Sequence, residues 1–189
     1  MKLIKITDLE LPSGLIVDLF PDSTLQKSGK PFFIPSFSSE FKSEVYVGFR
    51  MCRLGKNIAA KFASRYYDGI GLFLMTEAVD VREQLKEAKA PWALATAFDG
   101  AAIVGEFFDI EKSQNTAEIF IDSQSVEKCD LSDARQRIDK LIEYVSKYFT
   151  MKIGDYVIMK ISKQPIDLKI DMHITANIEA QESLNLKIK

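Results

Sequence analysis

The stretch EVYVGFRMC, residues 44–52, decides the fold class of this chain. Its aromatic and β-branched side chains recur with a period of two, which is typical of a β-strand. Apolar runs with strand character recur along the chain, at 15–20, 69–78, 102–110, 116–122, 155–161 and 168–178. Only 131–149 has a clear helical period, with one apolar face made of Ile138, Leu141, Ile142, Val145 and Phe149 and a cap at Asp130 or Ser132. The pattern predicts a strand-rich α+β fold with one long helix.

The segments between these elements carry weaker signals. Residues 21–43 are rich in Pro, Ser, Gly and Phe and predict an extended connection. Residues 57–67 predict a helical turn or a loop excursion, with Asn57 as the candidate N-cap, and 79–89 predict a short helix.

Two strand predictions concern pairing and exposure. The strands 102–110 and 116–122 flank the turn residues Ser113-Gln114-Asn115, so we expect them to form a hairpin. The strand 168–178 alternates, and its polar face carries Lys169, Asp171, His173 and Thr175.

Composition excludes several protein classes. The chain has 189 residues, the length of one domain, and a net charge of −2, so it lacks the basic excess of a nucleic-acid coat protein. No window is apolar enough for a membrane span, and charged residues interrupt the N-terminus where a signal peptide needs an apolar run. Two cysteines, Cys52 and Cys129, are too few for a disulfide scaffold. We therefore expect a soluble, cytoplasmic protein that binds neither nucleic acid nor membrane.

Several short motifs resemble those of the fumarylacetoacetate hydrolase family. They stand in the family's order and are RLGKNI at 53–58, KFA at 61–63, RYYD at 65–68, IGL at 70–72, PW at 91–92, AFDG at 97–100 and the segment 144–156. The resemblance covers most of residues 15–189. Relatives of this family include decarboxylases, hydratases and isomerases of small 2-oxo acids.

The resemblance implies a mixed β-sheet roll or sandwich of the family's C-terminal-domain type. It implies one domain over 1–189, with a short N-terminal segment at 1–22 and a family-like core at 23–189. It also implies a homodimer and a cleft that holds Mg²⁺ or Mn²⁺ through carboxylates, the ligands that such hard cations prefer.

The family's metal ligands are largely replaced in this chain. Its Glu-x-Glu pair falls on Glu44 and Tyr46, and its metal-binding Asp falls on Met75. A phenol is neutral at ordinary pH, and a thioether is a poor ligand for magnesium. One of three carboxylates therefore survives.

Other family site residues are also replaced. The family's Arg falls on Val79, its Gln on Arg82 and its Lys on Thr96, whereas its carboxylates at Asp80 and Asp99 remain. The family's Thr-Gly-Thr-Pro loop falls on residues 159–162, which predict a plain strand, and residues 1–41 contain no counterpart of its catalytic His. The cleft is therefore expected to be lined by Tyr46, Met75, Val79, Asp80, Arg82, Thr96 and Asp99.

Glu44 and Glu77 each allow two interpretations. Glu44 is either a remnant metal ligand or an exposed carboxylate at a strand end. Glu77 lies two residues after Met75 and thus on the same strand face, where it could rebuild a two-carboxylate site with Glu44. Alternatively, it supplies a negative charge at the start of the helix that follows.

The remaining candidates are weaker. His173 is the only histidine, and we interpret it as a solvated or edge residue, with general-base use as the alternative. Cys52 and Cys129 fit small apolar side chains. Apolar or aromatic residues at Tyr46, Met75, Val79 and Ile161 lead to the hypothesis that the former cleft is filled or forms an apolar pocket.

Two functional hypotheses follow from the sequence. In the first, the chain keeps the family scaffold without its metal-dependent catalysis or any cofactor. It then acts as a ligand-binding protein or as a dimerisation partner of itself or of an active paralogue. In the second, it is a metal-dependent hydrolase or decarboxylase of a small 2-oxo or diketo acid, with Mg²⁺ or Mn²⁺ in a site rebuilt on Glu44 and Glu77.

Overall fold

Two β-sheets and one long helix form the structure. The computed structural model describes residues 1–8, 15–113 and 115–189. The strands are β1 Lys2–Asp8, β2 Leu15–Pro21, β3 Leu25–Lys27, β4 Phe41–Met51, β5 Tyr67–Ala78, β6 Ala102–Asp109, β7 Thr116–Ile121, β8 Gln124–Asp130, β9 Tyr156–Lys160, β10 Ile166–Asp167, β11 His173–Ile178 and β12 Gln181–Lys187. The α-helices are α1 Ala60–Ala63, α2 Val79–Glu87, α3 Ala93–Thr96 and α4 Ser132–Tyr148, and a 3₁₀ helix spans Asp22–Thr24.

The larger sheet is mixed and curled. Its order is β2-β1-β9-β4-β5-β6-β3, with the short β10 paired to β4. Most pairs are antiparallel, but β1 runs parallel to β9 and β3 parallel to β6. Phe20 and Leu25, from the two end strands, pack against the same small apolar cluster. The ends of the sheet therefore curve toward each other, as expected for a roll.

The smaller sheet and α4 enclose the main core on the outer face of the roll. The order of this sheet is β12-β11-β7-β8. The buried face of α4 carries Ala134, Ile138, Leu141, Ile142 and Val145. These residues join one large cluster with side chains from both sheets, such as Phe49, Leu72 and Ile174.

A serine joins the two sheets where the ladder between β5 and β6 is interrupted. The register shifts between Gly71 and Phe73, so Leu72 lies outside the regular pairing. The Leu72 amide donates to Ser183 Oγ on β12 at 3.0 Å, and Ser183 Oγ donates to the Glu106 carbonyl at 2.9 Å. A Cβ at Gly105 would lie 2.5 Å from Ser183 Oγ, so the close approach requires glycine there.

The strand-rich α+β prediction is confirmed, but some local predictions were wrong. Residues 102–110 and 116–122 do not form a hairpin, because β6 belongs to the larger sheet and β7 pairs with β8 and β11 in the smaller one. Gln114, in the predicted turn, lies outside the described residues. The strand predicted at 168–178 begins only at His173, since Asp171 turns the chain at a φ of +70°.

The predicted cap at Asn57 was also wrong. The short helix starts at Ala60 after Ala59, and Asn57 instead adopts a φ of +51° in a turn. The predicted cap of α4 at Asp130 or Ser132 was wrong as well, because Leu131 is the N-cap and Ser132 is the first helical residue. Asp130, just before the cap, accepts a hydrogen bond from the Ser132 amide at 2.8 Å. Among the described residues, none of the helices has the length and apolar character that crossing a membrane requires.

Candidate functional site

The concave face of the roll is filled by apolar side chains. A cluster of buried residues lies there, formed by Leu3, Phe20, Tyr46, Phe73, Met75, Ala102 and Ile158. Tyr46 is 5% exposed and Met75 is 8% exposed. The Phe73 ring packs edge-on against Tyr156, with ring centres 5.2 Å apart. Tyr46 and Met75, the two positions where the resemblance implies metal-binding carboxylates, are therefore packed into an apolar cluster.

Glu44 stands at the rim of this cluster and is held by two partners. It lies opposite Met75 on the neighbouring strand β5 and shares a face of β4 with Tyr46. The Lys160 ammonium pairs with Glu44 Oε1 at 2.5 Å, and the Tyr46 hydroxyl donates to Glu44 Oε2 at 2.9 Å. The Glu44 side chain is 32% exposed and Lys160 38%, so solvent reaches the pair.

A second carboxylate–cation pair lies on the next strand. Glu77 Oε1 accepts a hydrogen bond from Arg82 Nη1 at 2.7 Å. The Arg82 guanidinium lies over the Trp92 ring at 4.9 Å, which fixes its plane. Arg82 Nε is buried and has no hydrogen-bond partner among the described residues.

The carboxylates of both pairs influence the pKa values of Tyr46 and Arg82. Burial raises the pKa of Tyr46 far above its usual range, and the nearby charges of Glu44 and then Glu77 add to the rise. The hydrogen bond to Glu77 raises the pKa of Arg82, and the negative charge of Glu44 also raises it. The Tyr46 hydroxyl therefore stays protonated, and the charges of both carboxylates stabilise the protonated Arg82 guanidinium.

These residues do not fit a divalent metal ion. The described residues contain no group of three His, Cys, Asp or Glu side chains that could hold one. Glu44 and Glu77 are each already neutralised by a cation of the chain, and Met75 and Tyr46 stand where further carboxylates would be needed. The chemistry available here is that of carboxylate, ammonium and guanidinium groups.

The other predicted cleft residues lie apart from this charged rim or have structural partners. Asp80 accepts hydrogen bonds from Ser38 Oγ at 2.5 Å, from the Ser39 amide at 3.0 Å and from the Val81 amide at 2.8 Å. Thr96 donates to the Trp92 carbonyl within α3. Val79 is half-buried and Asp99 is exposed.

Asp80 gives a prediction about acid stability. Its hydrogen bonds, led by that from Ser38, lower its pKa to about 2 from 3.8. A carboxyl whose pKa is depressed on folding stabilises the native state above its unfolded value, and this contribution is lost as the pH falls from about 3.8 to about 2. We expect the melting temperature of Asp80→Asn to change less between pH 4.5 and pH 2.5 than that of the unsubstituted protein.

Circular dichroism melts at several pH values measure this difference. Asp99→Asn, which alters an exposed carboxylate in the same region, is the control, and its melting temperature should vary with pH as that of the unsubstituted protein does. An identical pH dependence for Asp80→Asn and the unsubstituted protein would contradict the assignment.

Sequence reasoning missed two contributors to the site. Residues 159–162 were predicted as a plain strand, which is correct for Met159 and Lys160 but not for Ile161 and Ser162, because β9 ends at Lys160. The position of Lys160 opposite Tyr46 depends on pairing between distant segments. Trp92 was predicted only as part of a motif, and no local sequence pattern indicates its stacking with Arg82.

A cavity of about 380 Å³ lies beside Lys160 and is lined by Ile6, Thr7, Asp130, Arg137, Met159 and Ser162 among others.

His173 and the cysteines do not join this site. His173 Nε2 bonds Asn185 Oδ1 at 2.9 Å within the smaller sheet. Cys129 is buried, and burial raises the pKa of its thiol to about 11, so it is an unreactive apolar side chain. Cys52 is only half-buried.

Comparison with known proteins finds a matching family profile and relatives with similar sequences. The family profile described as "Fumarylacetoacetate (FAA) hydrolase C-terminal" matches residues 9–159. The mitochondrial oxaloacetate tautomerase fahd-1 of Caenorhabditis elegans is 29% identical over 134 residues, which cover 69% of this chain and 63% of that protein. The mitochondrial oxaloacetate tautomerase FAHD1 of Mus musculus is 26% identical over 178 residues, which cover 92% of this chain and 80% of that protein.

Solved structures share the fold over the whole chain. Fumarylpyruvate hydrolase from Pseudomonas aeruginosa, solved in complex with Mn²⁺ and pyruvate, has a TM-score of 0.84 and 15% identity. The match covers 100% of this chain and 89% of that chain. The similarity shows that the two proteins have the same fold.

Proposed function

Because this chain belongs to the fumarylacetoacetate hydrolase family, we propose that it is an enzyme acting on a small 2-oxo acid through a rearranged site. Relatives with similar sequences are named as oxaloacetate tautomerases, which favours this hypothesis over loss of catalysis. The observation that carries it is the solvent-accessible contact between the Glu44 carboxylate and the Lys160 ammonium at the mouth of the roll.

The reaction that this pair can support is keto–enol tautomerisation. A Glu44 oxygen removes a proton from C3 of the 2-oxo acid, and the electron pair of that C–H bond moves to form the C2–C3 double bond. The carbonyl oxygen at C2 receives a proton from Lys160 Nζ, and protonated Glu44 then returns its proton to the Lys160 amine. No electron is gained or lost, and the only change is the transfer of one proton from carbon to oxygen.

The Tyr46 hydroxyl supports Glu44 in this role. It donates to the Glu44 oxygen that Lys160 does not contact, and its raised pKa keeps it a donor throughout. The Lys160 ammonium supplies a positive charge next to the oxygen of the developing enolate.

An absorbance assay tests the proposed activity. Oxaloacetate is added as a freshly dissolved tautomer mixture, and the approach of its enol absorbance to equilibrium is followed with and without purified protein. We expect the protein to accelerate this approach. A rate equal to that of buffer, also for acylpyruvates and other 2-oxo acids, would contradict the enzymatic proposal.

A second candidate function is ligand binding or dimerisation without catalysis. The sequence alone favours it, since two of three metal-binding carboxylates are replaced. The burial of Tyr46 and Met75 in an apolar cluster is the specific observation in its favour. A homodimer, or a complex with an active paralogue, remains part of this proposal. The absorbance assay separates the two candidates, because only the first gives acceleration.

A further inference from the structure

Two cationic side chains lie at the rim of the roll, where the resemblance of this chain to the family implies a metal ion. Lys160 reaches Glu44 from β9, and Arg82 reaches Glu77 from the first turns of α2. Each cation neutralises one carboxylate, so the two pairs carry no net charge but place ammonium and guanidinium donors at the rim. A negatively charged ligand binds here through the N–H groups that the two glutamates leave unused.

Both cations keep donors for such a ligand. An ammonium has three N–H groups and a guanidinium has five. Lys160 donates to Glu44, and Arg82 donates to Glu77 through Nη1. The opposite edge of Arg82 begins at Nε, which is buried and has no partner among the described residues. The Nε–Nη2 edge is one of the two that match a carboxylate with paired hydrogen bonds.

The spacing of the two pairs suits a small dicarboxylate. Glu44 lies opposite Met75, and Glu77 lies two residues farther along β5, so the two glutamates occupy diagonal positions on one face. Diagonal neighbours in a sheet are about 7–8 Å apart. That separation is within reach of a dicarboxylate of a few carbons that accepts a hydrogen bond of about 2.8 Å at each end.

Arg82 is also held in place before any ligand arrives. The Trp92 ring, 48% exposed, lies under its guanidinium at 4.9 Å, and Glu77 fixes one end of it. A guanidinium whose plane is fixed loses less side-chain freedom on binding.

We propose that Lys160 and Arg82 bind the two ends of a small 2-oxo dicarboxylate, so that this chain binds its ligand without a divalent metal ion. This inference rests on the proposed function, because it names the ligand class and the binding groups of the same site. Lys160 contacts the end that carries the 2-oxo group, next to Glu44, and Arg82 contacts the distant carboxylate.

Calorimetric titration of the full chain tests the inference. The protein and buffer are passed over a chelating resin, and L-malate is used as a stable four-carbon dicarboxylate, with butyrate as the monocarboxylate comparison. We expect L-malate to bind more tightly than butyrate and its affinity to stay within twofold when Mg²⁺ or Mn²⁺ is restored. Lys160→Met and Arg82→Met should each weaken the binding by at least tenfold. Lys86→Met, on the exposed side of α2, should leave it unchanged.

The outcomes separate this inference from the proposed activity. Binding that appears only when Mg²⁺ or Mn²⁺ is added would overturn the inference but leave a metal-dependent enzyme possible. No binding under either condition would also overturn it, whatever the turnover assay gives. Metal-independent binding that the two variants abolish supports the inference even where the unsubstituted protein does not accelerate tautomerisation, in which case only the proposed catalysis fails.

Discussion

Replacing Glu44 by glutamine is expected to lower the rate of enzymatic tautomerisation by at least about 100-fold, because a positioned general base contributes roughly 10²–10⁴ to such a rate. The substitution keeps the size of the side chain but leaves one acceptor oxygen, whereas Tyr46 and Lys160 bond two different oxygens of Glu44. It removes the negative charge and, with it, the capacity to take up a proton from carbon. Rates of enolisation measured at saturating substrate report this loss.

The matched control for Glu44→Gln is Glu83→Gln. Glu83 is an exposed residue of α2 whose carboxylate pairs with Lys86 at the surface. This variant should keep the full rate, and both variants should melt at temperatures close to that of the unsubstituted protein. A Glu44→Gln protein that is folded and fully active would show that another group moves the proton.

Replacing Asp155 by alanine is expected to lower the free energy of unfolding by about 2–4 kcal/mol, since removing one partner of a buried ion pair leaves the other charge uncompensated. Asp155 is fully buried and pairs with the Lys2 ammonium. It also accepts hydrogen bonds from the Lys2 amide at 2.9 Å and the Lys152 amide at 2.8 Å. Asp155 thereby anchors β1, the strand that completes the roll between β2 and β9.

Urea unfolding of Asp155→Ala measures this loss. Asp155→Asn keeps one of the two acceptor oxygens that the Lys2 and Lys152 amides use, and should lose less stability than Asp155→Ala. Asp68→Ala removes an exposed pair with Arg50 and should cost no more than about 1 kcal/mol. A cost for Asp155→Ala as small as that of Asp68→Ala would contradict the anchoring role.

Much of the fold was predictable because its strands alternate clearly. The run 44–52 corresponds to most of β4, and the helical period of 131–149 corresponds to α4, since both patterns reflect one buried face. The strands β1, β3, β8, β10 and β12 were missed. β8 is mostly exposed and polar, so it lacks the apolar alternation that identifies a strand. The assignment of β6 and β7 to different sheets depends on long-range packing, which adjacent residues do not encode.

The site was predictable only in part, for a similar reason. The spacing of two residues between Met75 and Glu77 correctly placed both on one strand face, and the resemblance identified Glu44 and Tyr46. The partners of the two carboxylates could not be predicted. Lys160 is 116 residues from Glu44, and Arg82 reaches Glu77 only because α2 turns back at the end of β5. Such pairings follow from strand register and chain reversal rather than from local composition.

Exchange of the C3 protons of a 2-oxo acid tests the central claim most directly. The acid is incubated in D₂O with metal-depleted protein, and loss of the C3 proton signal is followed by nuclear magnetic resonance. We predict exchange well above the buffer rate for the unsubstituted protein and exchange near the buffer rate for Glu44→Gln. Exchange at the buffer rate with the unsubstituted protein, in the presence as well as the absence of Mg²⁺ or Mn²⁺, would contradict the proposal that this chain is an enzyme.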